Sequence, residues 1–115
     1  MATALLLEDE PLIAMDIEYI LEEAGFNVVP VMSCTEALGW LNDHRPDVVI
    51  VDIILKDGPC GEVVTRLVEE KIPFVVHSGD RPSQHAGTPF AAGGWVNKPS
   101  DGASMITAIH QALAA

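Results

Sequence analysis

Five short apolar segments punctuate this chain at intervals that leave room for a helix after nearly every one. This alternation limits the fold more than any other feature of the 115 residues. Residues 2–7, 27–31, 48–51, 74–76 and 95–96 read as strands, and the first and third are continuous apolar runs of the kind that lie buried on both faces. Between them stand helical patterns. Pro11 opens a stretch in which Ile13, Ile17, Ile20 and Ala24 recur at helical spacing up to a stop at Gly25. Ser33 and Glu36 form a capping-box pattern before a helix through Leu41, which Pro46 must end. Val63, Val64, Leu67 and Val68 give a third apolar stripe, and Met105, Ile106, Ile109 and Leu113 a last one behind a capping Asp101. Strands joined by helices predict a parallel sheet covered on both faces, a small doubly wound α/β fold in one domain.

In such sheets ligands bind beyond the carboxyl ends of the strands, so the residues just after each apolar run carry the functional information. Those positions hold Glu8 and Asp9 after the first strand, Asp52 after the third, Ser78 after the fourth and Lys98 after the fifth. Three carboxylates a few ångströms apart cannot all ionise unaided, so either a proton is retained or a cation binds. An open cluster of hard oxygens suits Mg²⁺, or Mn²⁺ in its place. With the charge neutralised, Asp52 can serve as an oxygen nucleophile towards phosphorus, while Lys98 and the Ser78 hydroxyl contact phosphoryl oxygens.

Charge points the same way. The net charge of −11 disfavours nucleic acid and anionic membrane as partners. Residues 1–44 contain nine acidic side chains and no Lys or Arg, most of them a solvated surface. No apolar run approaches a membrane span, and residues 1–7 lack the features of a signal peptide. Cys34 and Cys60, 26 apart with no clustered ligands, are expected as two reduced thiols in a cytoplasmic protein.

The residues Glu8-Asp9-Glu10, Val48-Val49-Ile50-Val51-Asp52, Ser78-Gly79 and Lys98-Pro99, in this order and at these intervals, resemble the receiver domain of two-component response regulators over essentially the whole chain. The resemblance implies a flavodoxin-like sheet of order 2-1-3-4-5. It makes Asp52 the acceptor of a phosphoryl group from a sensor histidine kinase or phosphotransfer protein. Asp9 becomes a direct ligand of the metal, Glu8 a ligand through water, and the backbone carbonyl of Ile54 the remaining protein ligand. It further implies that the Lys98–Pro99 bond is cis and that Trp95, three before the lysine, moves in step with Ser78. Leu12, Met15 and Tyr19 share one line of the first helix opposite its buried stripe and are expected to dock the kinase.

Departures from the family pattern set further expectations. Residues 80–94 contain Pro82, Gly87, Pro89, Gly93 and Gly94 and no apolar stripe, so the fourth helix should be short, distorted or missing. A dimer through that helix therefore cannot be assumed. Lys56 is expected to be a loop cation near the pocket. Ile54 offers no side-chain hydrogen bond to a hydrolytic water, which predicts slow self-dephosphorylation. His77 adjoins Ser78 but points to the opposite face, so it is structural rather than a catalytic base; His85 and His110 are expected on the surface. The expected whole is a stand-alone receiver over residues 1–115 without an output domain, a relay to a downstream protein rather than a metabolic enzyme. Two rivals remain: a receiver-fold interaction module that does not use phosphate, and a hydrolase using Asp52. The latter lacks a neighbouring acid or base, since Ile53 and Ile54 follow.

Overall fold

The computed structural model describes residues 2–55 and 57–114. Its elements in chain order are β1 (Thr3–Leu7), α1 (Pro11–Glu23), β2 (Asn27–Val31), α2 (Cys34–Asp43), β3 (Val48–Val51), α3 (Gly61–Glu69), β4 (Phe74–Ser78), β5 (Gly94–Asn97) and α4 (Gly102–Ala114). The five strands form one parallel sheet in the order β2-β1-β3-β4-β5, the expected doubly wound arrangement. A two-residue antiparallel ladder, Ile54–Leu55 with Gly58–Pro59, lies in the loop between β3 and α3.

Alternation of side chains along the strands divides the core in two. Leu5, Leu7, Val49, Val51, Phe74 and Val76 face α2 and α3, where they meet Leu41, Val63, Val64 and Leu67. Ala4, Leu6, Val48, Ile50 and Val75 face α1 and α4, against Ile17, Leu21, Met105 and Ile109. The helix ends follow local chemistry. Pro11 occupies the first turn of α1, and Gly25 leaves that helix with φ +96°, a left-handed conformation that glycine adopts without steric cost. The Ser33 hydroxyl accepts from the Glu36 amide at 3.0 Å, and Asp101 accepts from the Ser104 amide at 2.7 Å.

The segment between β4 and β5 is the irregular one. Two short 3₁₀ turns, Pro82–His85 and Pro89–Ala92, take the place of a fourth helix. Phe90 is buried in the core on the α2/α3 side. Close behind it, a Cβ at Gly93 would collide with the ring of buried Phe74. Gly93→Ala is therefore expected to destabilise the fold by about 1–3 kcal/mol through overpacking, read as a lower urea midpoint with an unchanged slope.

The cysteines correct the sequence reading. Cys34 and Cys60 are joined in a disulfide, with Cα atoms 5.6 Å apart, and are not two reduced thiols. Their 26-residue separation along the chain concealed the pairing. The crossover through α2 and β3 returns the start of α3 to the start of α2, and no local pattern signals that return.

Candidate functional site

The parallel strands all end on one side of the sheet, which brings the chemistry-bearing residues together. Glu8 and Asp9 leave β1, Asp52 leaves β3, Ser78 ends β4 and Lys98 follows β5. The edge is tied by backbone bonds: the Asp52 amide donates to the Leu7 carbonyl at 3.1 Å, and the Lys98 amide to the Ser78 carbonyl at 2.8 Å. Glu8, Asp9 and Asp52 each offer a carboxylate oxygen within 4.8 Å of the others. Lys98 crosses this cluster, its Nζ donating to Glu8 Oε1 at 3.0 Å and to Asp52 Oδ2 at 2.9 Å.

Glu8 is almost wholly buried, 2 % exposed, whereas Asp9 and Asp52 are half-buried. Burial pushes the Glu8 carboxyl above the usual carboxylate range, although Lys98 and the Glu10 amide pull it back. For Lys98, burial works against the charged form, but the hydrogen bonds it donates to Asp52 and Glu8, with the charges of those carboxylates, outweigh it and raise the ammonium above its ordinary value. Lys98 is thus the internal counter-ion of an acidic pocket. Oxygen donors alone, few in number and partly open to solvent, fit a hard divalent ion such as Mg²⁺ or Mn²⁺ that retains several waters.

Ser78 is buried at the same edge, with its hydroxyl turned aside: Oγ accepts from the Asp80 amide at 3.0 Å. Ile54 follows Asp52 by two residues in the short ladder and exposes its side chain. The Lys98–Pro99 peptide bond is cis. Lys56 lies outside the described residues. Leu12, Met15 and Tyr19 are 80 %, 65 % and 64 % exposed along α1. Beside them a cavity of about 490 Å³ runs between α1 and the β5–α4 loop, with Lys98 in its wall.

Three features of this region escaped the sequence. The Asp80 carbonyl accepts from Trp95 Nε1 at 3.1 Å and from Asn97 Nδ2 at 2.7 Å, while its carboxylate meets His85 Nε2 at 2.8 Å, so one residue pins the irregular segment to β5. His85, expected on the surface, is only 18 % exposed and packs beside the rings of Phe90 and Trp95. Asp57 holds the start of α2 from the β3–α3 loop, accepting from the Cys34 and Thr35 amides at 2.9 and 3.0 Å and from the Thr35 hydroxyl at 2.8 Å. These bonds lower the Asp57 carboxyl to about 2. An acidic residue beside a glycine in a loop was the one visible hint of Asp57. The Asp80 contacts gave none, because they join positions 15 and 17 apart across a turn with no periodicity.

His77 is buried against α1 and α4, its Nε2 bonded to Ser100 Oγ at 2.9 Å, and its Nδ1 has no partner. Burial, reinforced by the Lys98 charge, lowers its pKa to about 4 from 6.5. The unfolded chain therefore binds the proton more readily. His77 contributes stability that is complete above about pH 6.5 and is lost as pH falls towards 4, by up to about 3 kcal/mol. Urea midpoints between pH 7 and 4 should fall less steeply in His77→Gln than in the parent.

The family model for the response regulator receiver domain matches residues 4–110 of this chain. The chain belongs to that family. As a receiver domain it is 35 % identical, over 98 % of its length, to the phyllosphere-induced regulator PhyR of Methylorubrum extorquens. It is 33 % identical, over 92 %, to the cell cycle response regulator CtrA of Brucella ovis. It spans 44 % and 47 % of those two proteins. Among solved structures, the CheY-like receiver domain of Methylobacillus flagellatus superposes with a TM-score of 0.82 at 28 % identity, covering 97 % of this chain and 98 % of that one. The chemotaxis response regulator CheY4 of Vibrio cholerae gives 0.88 at 22 % identity, covering 98 % and 99 %, and shares the fold.

Proposed function

We propose that this receiver domain is a phosphorylation-dependent switch whose acceptor is Asp52. The observation that carries the reading is the double hydrogen bond of Lys98 to Glu8 and Asp52 inside a cluster of three carboxylates. Asp52, half-buried and beside a fixed ammonium, is held at the mouth of the pocket to attack phosphorus. An Asp52 oxygen forms the new O–P bond as the N–P bond of a phosphohistidine breaks; the imidazole nitrogen keeps the electron pair and takes a proton. Asp9, Asp52 and the Ile54 carbonyl would hold Mg²⁺ directly, with Glu8 acting through water. When bound, the ion supplies positive charge to the pocket and to the phosphoryl oxygens.

The donor in this reading is a sensor histidine kinase or phosphotransfer protein, docking on Leu12, Met15 and Tyr19 beside the cavity that Lys98 helps to line. Phosphorylation replaces the single carboxylate charge of Asp52 with a phosphoryl group bearing nearly two, a net gain of about one negative charge. The Ser78 hydroxyl then exchanges the Asp80 amide for a phosphoryl oxygen. Because Asp80 also holds Trp95 and His85, that exchange loosens the segment between β4 and β5 and presents it to a downstream protein. Such a relay acts in the cytoplasm, where kinase and receiver meet.

The test is to add Mg²⁺ with acetyl phosphate or beryllofluoride and to follow adduct mass and Trp fluorescence. A single Mg²⁺-dependent adduct on Asp52 supports the switch. A protein that gives none, yet still binds partners through α1, would instead be an interaction module. Since Ile54 lends no polar side chain to an attacking water, the phosphoryl group is expected to persist for minutes or longer in buffer, as measured by phosphate release.

A further inference from the structure

The disulfide joins α2 to the end of the loop that follows the acceptor, and its two ends are unlike in burial. Cys34 is the first residue of α2 and half-buried, whereas Cys60 precedes the first residue of α3 and is fully buried. From Cys60 the loop runs back towards Asp52 through two fixed points. The Cys60 amide donates to the Ile53 carbonyl at 2.9 Å, next to the carbonyl assigned to the metal, and Asp57 bonds the start of α2. The S–S bond therefore closes a frame formed by α2, Asp57, Ile53 and Cys60 around the loop from Asp52 to α3.

We propose that Cys34 and Cys60 form a reversible thiol–disulfide site that sets the affinity of the acidic pocket for Mg²⁺ and phosphoryl groups. The coupling rests on the reading of Asp52 as the acceptor; the redox site itself does not. Reduction proceeds by exchange. A small-molecule thiolate attacks the sulfur of Cys34, the less buried of the two residues, the S–S bond breaks, and Cys60 departs with the electron pair and takes a proton. A second thiolate then attacks the mixed disulfide, releasing Cys34 as a thiol and a small-molecule disulfide. Both sulfurs lie at helix N-termini, which favour the negative charge that each carries in turn. Re-oxidation by a low-molecular-weight disulfide runs the same exchange backwards. With the bond intact the Ile53–Ile54 backbone is tied covalently to α2; with it open, the loop is restrained only by hydrogen bonds, those of Asp57 to α2, the Cys60–Ile53 bond and the short ladder.

The test equilibrates the folded domain in buffers of reduced and oxidised glutathione, counts thiols by alkylation and mass, and titrates each form with Mg²⁺ and beryllofluoride. The expected results are full interconversion between zero and two thiols, and about fivefold weaker binding in the reduced form, a typical coupling between linked sites. Cys34→Ser should bind like the reduced parent whatever the buffer. By reciprocity, Mg²⁺ and beryllofluoride should shift the glutathione titration towards the disulfide. Two thiols that never pair in oxidised glutathione would overturn the redox site. Equal affinities in the two forms would overturn the coupling. If neither form bound beryllofluoride, the acceptor reading and the coupling resting on it would fail, and the thiol count would still decide whether the pair is a redox site.

Discussion

Asp52→Asn is expected to give no adduct with acetyl phosphate or beryllofluoride, while keeping the fold. The amide cannot act as the oxygen nucleophile, and no other carboxylate can replace it. Glu8 is buried and bonded to Lys98 and the Glu10 amide, and Asp9 lacks the hydrogen bond to Lys98 that Asp52 has. The substitution also removes one of three negative charges lying within 4.8 Å. Mg²⁺ affinity should fall at least about tenfold, since even at the dielectric of water one unit charge at about 4 Å is worth about 1 kcal/mol and the ion carries two. Thermal stability should change little, because Lys98 keeps its bond to Glu8. Intact-mass spectrometry with and without Mg²⁺ reads the adduct, and fluorescence titration reads the ion. A persistent adduct in this variant would place the acceptor elsewhere.

Lys98→Met should separate two quantities that usually move together. Phosphoryl transfer should slow by about 10²–10³-fold, since a donor preorganised against the transferring group is lost. Mg²⁺ alone should nevertheless bind more tightly, because the ammonium at 2.9 Å from Asp52 and 3.0 Å from Glu8 no longer competes for the same oxygens. Without the ion the variant should be less stable by about 2 kcal/mol near neutral pH, since Glu8 is then a buried carboxylate with no cationic partner. That loss should shrink on acidification. Glu8 titrates above the usual carboxylate range and escapes the penalty by taking a proton. Urea unfolding at pH 7 and pH 5, with and without Mg²⁺, distinguishes these effects. A lower Mg²⁺ affinity in Lys98→Met would show that the lysine orders the carboxylates more than it competes with an ion.

Much of the fold was legible in the chain because it rests on local rules. The apolar runs at β1 and β3 could only be buried strands, Gly25 and Ser33 carry the chemistry of helix ends, and the prolines and glycines of residues 80–94 deny a regular helix. A parallel sheet then places all strand ends on one side. This is why Glu8, Asp9, Asp52, Ser78 and Lys98 could be grouped without coordinates.

Contacts between segments that share no register were beyond such rules. The sequence could nominate Lys98, but only the packed edge shows it bonded to Glu8 and Asp52 and not to Asp9. It could nominate Ser78, but not that its hydroxyl is held by the Asp80 amide. It misassigned the cysteines, since they stand 26 positions apart, across α2 and β3, before the two helix starts come within 5.6 Å. Hydrophobic period and turn chemistry act over one element at a time, so the sequence alone determined the elements, their order and the edge where chemistry gathers. Which side chains meet there is set by how α2, α3 and the β3–α3 loop pack against the sheet, and only the tertiary structure decided that.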